Sequence, residues 1–184
     1  MDNFIRLIEK NDLQANDIEK VVVTPHPIVQ FTQWQKNSLR TEEDFSFNIP
    51  YLLGCAAYRI KTSHWLNKNV KEDQRIREFI KRIEFKIVID EPGFGLPRIE
   101  DPVARPSVTE VLAKGKTFKE RNMYLKGSWR PKEFRNTDAD LIEKFRDNSS
   151  KVLSSDKINE VSQIIIQELD KLEDIGKIIE LITP

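Results

Sequence analysis

Few side chains in this sequence are of the types that carry out catalysis or hold metal ions. The two histidines, His26 and His64, have no second histidine or cysteine at the spacing that metal ligands need. The single cysteine, Cys55, lies in an apolar stretch of small residues with no base nearby in the sequence. Such a thiol is typical of a buried, unreactive position. We therefore expect His26, His64 and Cys55 to have structural or surface roles.

A turn-rich stretch at residues 90–102 carries two further candidates. Gly93-Phe94-Gly95 lacks the third glycine, the Lys-Ser/Thr pair and the following helix of a phosphate-binding loop. Four carboxylates lie in the same stretch, at Asp90, Glu91, Glu100 and Asp101. They could pair as acid and base or hold a metal ion, but acidic residues in a loop rich in proline and glycine are more often solvated. We expect a surface loop here.

The strongest local charge signal is a basic, aromatic segment at residues 114–135. Its cations are Lys114, Lys116, Lys119, Arg121, Lys126, Arg130, Lys132 and Arg135, with Phe118, Tyr124, Trp129 and Phe134 interleaved. Such a segment could hold a polycarboxylate substrate or contact a nucleic-acid backbone. A solvated hairpin whose cations face an acidic part of the same chain fits the pattern equally well, so the sequence leaves these interpretations open.

The composition indicates a globular chain of one domain, or of one domain with an appendage. Its 184 residues include 30 basic and 30 acidic ones, which argues against a protein that binds polyanions over its whole surface. One cysteine excludes a disulfide framework and fits a reducing compartment. No apolar run approaches the ~20 residues of a membrane span, and the N-terminus lacks the order of a signal peptide. These features predict a cytoplasmic protein.

Hydrophobic periodicity and turn residues predict the elements that position these side chains. In chain order they are a helix around residues 4–8, a strand at 21–24, a loop at 28–46, helices at 50–60 and 70–82, a strand at 84–90, a hairpin at 108–121, and helices that begin near 138, at 155 and at 174. Pro50 is expected in a first helical turn, and Gly115 in the hairpin turn. Gly54 and its small neighbours should allow close helix packing.

The predicted secondary structure and the net charge of the chain both change near residue 136. Residues 1–136 read as a small α/β domain that carries about five excess positive charges, and residues 137–184 read as a helical segment with a similar negative excess. The fold class expected is therefore α+β. The apolar stripe of residues 155–182 is wider than a small α/β layer needs, which favours docking on something else.

Five stretches, taken together and in this order, resemble the C-terminal part of the MmgE/PrpD family. They are Leu13-Gln14-Ala15-Asn16-Asp17-Ile18-Glu19-Lys20-Val21-Val22-Val23, Phe47-Asn48-Ile49-Pro50-Tyr51, Arg105-Pro106 through Thr117, Gly127 through Phe145, and the closing run from Ile158 to Leu172 and Asp174-Ile175. No single motif is specific, but the order of all five is moderately so. The sequence departs from the family pattern at Lys114, where the hairpin has Asp, and at Asn48, where the family has Ser.

The resemblance implies a small α/β lid domain whose C-terminal helices pack against a large helical N-terminal domain. In this family the active site lies between the two domains, needs no metal or cofactor, and acts on small polycarboxylates. Most of its acid and base residues come from the helical domain and from a segment just before the lid. Only the Tyr of the Pro-Tyr motif carries over, as a catalytic candidate, to Tyr51.

The leading hypothesis is thus an MmgE/PrpD-like lid domain, either a remnant or one half of a split enzyme, which is inactive by itself. Lys114, Lys116, Lys126 and Arg130 are its candidate substrate-binding residues, since they would attract carboxylates. The expected partner is a separately encoded helical domain, or a second copy of the chain, bound through residues 137–182. The alternatives are a binding module that uses segment 114–135 on nucleic acid or protein, with nucleic acid disfavoured, and a structural homodimer without chemistry.

Overall fold

Four strands form one mixed sheet in a computed structural model that describes residues 1–26, 29, 32–35, 38–87 and 103–183. The strands are β1 (Ile18–Thr24), β2 (Ile83–Phe85), β3 (Ser107–Ala113) and β4 (Lys116–Asn122), in the spatial order β2-β1-β3-β4. β1 is parallel to β2 and antiparallel to β3, and β3 and β4 form an antiparallel hairpin. The fold is α+β, as predicted.

The strand predictions are largely confirmed. β1 contains the predicted run at 21–24 and begins three residues earlier, while β3 and β4 form the predicted hairpin. Lys114 and Gly115 both have positive φ angles in its turn, +52° and +68°, as a two-residue type I′ turn requires. β2 confirms only the start of the predicted strand at 84–90. Residues 88–90 and the predicted surface loop with its Gly93-Phe94-Gly95 and four carboxylates lie outside the described residues.

Eight α-helices precede, separate or follow the strands in the described sequence. They are α1 (Asp2–Lys10), α2 (Glu42–Phe47), α3 (Ile49–Ala57), α4 (Lys68–Lys71) and α5 (Gln74–Ile80), followed by α6 (Asp138–Ser149), α7 (Ser155–Gln163) and α8 (Gly176–Ile182). The helix predicted to begin at residue 155 is α-helical only to Gln163; a π-helical turn at Ile164–Glu168 and a 3-10 turn at Leu169–Lys171 continue it. Three successive β-branched isoleucines, which crowd a preceding helical turn, coincide with this change.

Two predictions need correction. The predicted loop at 28–46 contains the helix α2, because Thr41 and Asp44 form a capping box: the Thr41 hydroxyl accepts from the Asp44 amide and the Asp44 carboxylate accepts from the Thr41 amide. The single predicted helix at 70–82 is two short helices. Asp73 caps the second of them by accepting a hydrogen bond from the Arg75 amide at 2.8 Å.

The described chain forms two units, Met1–Phe134 and Arg135–Pro184. In the first, α1, α3 and α5 pack with the sheet around Phe4, Val21, Leu53, Phe79 and Val111, which are all at most 1% exposed. A second cluster joins Phe45, Tyr51, Cys55, Val70 and Ile76. Two members of this second cluster, Phe45 and Tyr51, also line the candidate site described below.

The close packing expected of Gly54 is present between α3 and α5. A Cβ atom built on Gly54 would lie 2.9 Å from Ile76 Cγ2, a distance at which the Ile76 side chain or one of the two helices must shift. This contact therefore favours glycine for steric reasons.

The second unit is a small helical assembly. Thr137 caps α6, the helix predicted to begin near residue 138, with a capping box to Asp140. Ile158, Val161, Ile164 and Ile178 are buried within this unit. Three apolar side chains of its last segment are exposed, namely Ile175, Ile179 and Ile182 at 59%, 56% and 44%. No helix among the described residues is long and apolar enough to cross a membrane.

Candidate functional site

Tyr51, the sequence-predicted catalytic residue, lies in the first turn of α3. Asn48 starts this helix by accepting a hydrogen bond from the Tyr51 amide at 2.8 Å, and Pro50 fills the first turn, where its missing N–H costs nothing. The prediction for Pro50 is thereby confirmed. This short Asn-Ile-Pro-Tyr sequence therefore fixes the backbone from which the phenol projects.

The phenol of Tyr51 is buried, with 1% of the residue exposed. Its hydroxyl donates to the backbone carbonyl of Trp65, and its ring packs edge-on to Phe45 with centroids 4.9 Å apart. Burial, and secondarily the neighbouring Cys55 thiol, raise the pKa of Tyr51 above its ordinary value, while the guanidinium of Arg77 acts in the opposite direction. Tyr51 is thus a protonated hydrogen-bond donor at neutral pH, not a base.

A cleft of about 510 Å³ opens over Tyr51. Its described lining combines apolar walls with three cations; the lining residues are Leu39, Phe45, Tyr51, Lys71, Arg77, Ile80, Lys81 and Ile83. Neither a carboxylate nor a histidine is among these lining residues. Small-molecule sites have this form, an apolar concavity with a few polar groups that fix orientation.

The three cations of the cleft differ in how far they are neutralised. Lys71 Nζ lies 3.1 Å from a carboxylate oxygen of Glu42, and Lys81 Nζ lies 2.6 Å from one of Glu78. Arg77 donates from Nη2 to the backbone carbonyl of Lys71 at 3.1 Å and forms no ion pair among the described residues. Arg77 is therefore the cation of this cleft whose charge is least compensated.

The four predicted substrate-binding residues lie elsewhere in the first unit. Lys114 occupies the hairpin turn and pairs with Asp17 at 3.1 Å, and Lys116 begins β4. The Lys126 amide donates to Asp2 at 2.7 Å, and the guanidinium of Arg130 lies 4.2 Å from the centre of the Trp129 ring.

The hairpin strand separates these four residues into two pairs. Lys114 and Lys116 lie at the start of β4, whereas Lys126 and Arg130 follow its end, and a strand of seven residues spans roughly 20 Å. None of the four is in the described lining of the cleft over Tyr51. The structure therefore does not gather the basic segment around the tyrosine.

The cysteine and the two histidines show no arrangement typical of a catalytic or metal-binding site in the part of the chain that the structure describes. Cys55 is fully buried, and burial raises the pKa of its thiol to about 11, so it is protonated and inaccessible. His26 is 7% exposed, and burial, together with the charge of Arg105, lowers its pKa. His64 ends a short 3-10 turn, Thr62–His64. The described residues contain no group of three or more His, Cys, Asp or Glu that could hold a metal ion.

Sequence reasoning missed the cations that do line the cleft. Arg77 and Lys81 are four residues apart, a spacing that places side chains on one face of a helix. This spacing was the available signal, but in a charge-rich amphipathic segment it is indistinguishable from an ordinary solvated face. What distinguishes them is Tyr51, which reaches the same cleft from a different helix.

Known proteins match this chain over most of its length. The family model of the MmgE/PrpD C-terminal domain matches residues 1–171. Human cis-aconitate decarboxylase is 32% identical over 170 residues, and the mouse protein of that name is 27% identical over 168; each match covers 91% of this chain. The chain spans about a third of the length of these curated relatives. The resemblance drawn from the five sequence stretches is thus confirmed, and the chain belongs to the MmgE/PrpD family, in the region of its C-terminal domain.

Proposed function

We propose that this chain is the lid domain of a cofactor-free lyase or isomerase that acts on small polycarboxylates in the cytoplasm. The observation that carries the proposal is the family match over residues 1–171 together with a cationic cleft built over the family's Pro-Tyr tyrosine. Two relatives named cis-aconitate decarboxylase agree with a substrate of this class.

The chemistry of the cleft fits one half of such a reaction. Removing a proton next to a carboxylate requires a base and a cationic, hydrogen-bonding environment for the charge that develops on the substrate. Tyr51 supplies a donor, and Lys71, Arg77 and Lys81 supply positive charge. The described lining offers no carboxylate or histidine as the base. We therefore assign the base to a helical domain of the family type, carried by another chain or by a longer form of this one.

The second unit is the proposed docking site for that helical domain. Ile175, Ile179 and Ile182 follow one another at spacings of four and three residues, so they share one face of α8 and its approach. All three are more than 40% exposed. Apolar side chains grouped in this way on a helix are typical of an interface.

Affinity purification tests the proposed assembly. With the 184-residue chain as bait in its own cell extract, mass spectrometry should identify a helical MmgE/PrpD protein, and Ile179→Glu should reduce its recovery at least tenfold. Glu180→Gln, on the same helix, is the matched control and should not change it. Recovery of no such protein would favour the remnant interpretation, and recovery unaffected by Ile179→Glu would exclude this face of α8.

A further inference from the structure

Arg77 is the residue of the cleft best placed to bind one carboxylate of a substrate. A guanidinium has five N–H donors, and the structure uses one of them on the Lys71 carbonyl. The remaining donors are not engaged by any carboxylate of the described chain. Arginine binds carboxylates through two parallel hydrogen bonds, which a lysine ammonium cannot reproduce.

The surroundings of Arg77 give a ligand apolar surface beside the charge. Leu39, Phe45, Ile80 and Ile83 form the apolar walls of the cleft, and Arg77 is an exposed residue that a ligand can reach. Lys71 and Lys81 line the same cleft, with Glu42 and Glu78 as their partners. A ligand with two or three carboxylates can meet Arg77 with one of them and the lysines with another.

The cleft also brings the ligand to Tyr51. Arg77 and Tyr51 both line this cleft. A carboxylate held by Arg77 would therefore place the rest of a small ligand beside Tyr51.

We propose that the cleft binds a polycarboxylate without help from any other domain, with Arg77 as its carboxylate anchor and Lys71 and Lys81 as auxiliary cations. This assignment deepens the proposed function and rests on it for the substrate class. It places the main anionic subsite on α5 and not on the hairpin segment that carries Lys114 and Lys116.

Calorimetric titration of the purified chain with citrate, at low ionic strength, tests the assignment. Citrate should bind the wild-type chain, and Arg77→Gln should weaken binding about tenfold or more, because charge-assisted hydrogen bonds to a citrate carboxylate are lost. Arg77→Lys should restore only part of the affinity. Arg59→Gln is the matched control, since Arg59 lies outside the described lining, and should bind citrate like wild type.

Three results would overturn the assignment: no citrate binding by the wild-type chain, unchanged binding by Arg77→Gln in a variant whose circular dichroism is native, or inorganic phosphate binding as tightly as citrate. The last would mean a general anion site. The two proposals fail separately. Citrate binding that depends on Arg77 with no helical partner recovered supports the anchor and rejects the assembly, and the reverse pattern rejects the anchor alone.

Discussion

At the scale of single residues, the account depends on the hydroxyl of Tyr51. A phenol has one proton to donate, and in this structure the Trp65 carbonyl accepts it. Donation to a substrate therefore requires that Tyr51 leave this carbonyl. The same hydroxyl thus has a structural role in the isolated domain and, under the proposed function, a catalytic role in the assembled enzyme.

Tyr51→Phe separates these two roles. It removes a buried hydrogen bond, so we expect the free energy of unfolding in urea to fall by about 1 kcal/mol. In an assembled enzyme we expect kcat to fall about 100-fold, at the lower end of what one proton-donating group contributes. A variant that loses stability but keeps its kcat would leave Tyr51 with the structural role only.

The raised pKa of Tyr51 also predicts how stability depends on pH. The folded state holds the phenolic proton more tightly than the unfolded state, where the pKa is about 10. Its contribution to stability is therefore complete below pH ~10 and is lost as the pH rises above that value. Between pH ~10 and ~12 the wild-type free energy of unfolding should decline more steeply than that of Tyr51→Phe. Parallel curves would contradict the buried, protonated phenol.

At the scale of elements, the contact between α3 and α5 holds the tyrosine helix against the helix that carries Arg77. Gly54→Ala would gain about 1 kcal/mol of helix propensity, but its Cβ would lie 2.9 Å from Ile76 Cγ2. We expect overpacking to dominate, with a net loss of about 1–2 kcal/mol in urea unfolding. Ile76→Leu has no Cγ2, so Gly54→Ala should be less costly in that background. An equal cost in both backgrounds would show that Ile76 is not the obstacle.

Elements with strong local signals could be predicted from the sequence. The spacing of Phe4, Leu7 and Ile8, the β-branched run at Val21–Val23 and the turn glycine Gly115 each indicate one conformation by themselves. The helix α2 was not predicted because its sequence has no clear hydrophobic period. Only the Thr41–Asp44 capping box indicates it. The break between α4 and α5 at Asp73 was not predicted, because the charged and apolar residues on either side continue the same helical pattern.

At the scale of the whole molecule, the family could be predicted, but the cations of the cleft could not. The sequence draws attention to segment 114–135, where charge is dense along the chain. The structure instead surrounds Tyr51 with Lys71, Arg77 and Lys81, which come from α4, α5 and the residue after α5. Such a constellation depends on tertiary packing, and a density of charge along the sequence does not report it.

The composition of the cleft predicts that the chain by itself has no activity. The first unit supplies a donor and positive charge, while the described lining of the cleft contains neither a carboxylate nor a histidine to remove a proton. Lys71 and Lys81 pair with the carboxylates of Glu42 and Glu78. Binding without turnover is the behaviour that this arrangement predicts.

The most direct test of the central claim is an assay of the purified 184-residue chain with cis-aconitate and with 2-methylcitrate, under the conditions in which citrate binding is measured. The account predicts binding of these polycarboxylates and no turnover above the buffer blank, with turnover appearing once a helical MmgE/PrpD domain is added. Turnover by the chain alone that disappears in Tyr51→Phe would contradict the account, because it would mean that this domain contains a complete active site.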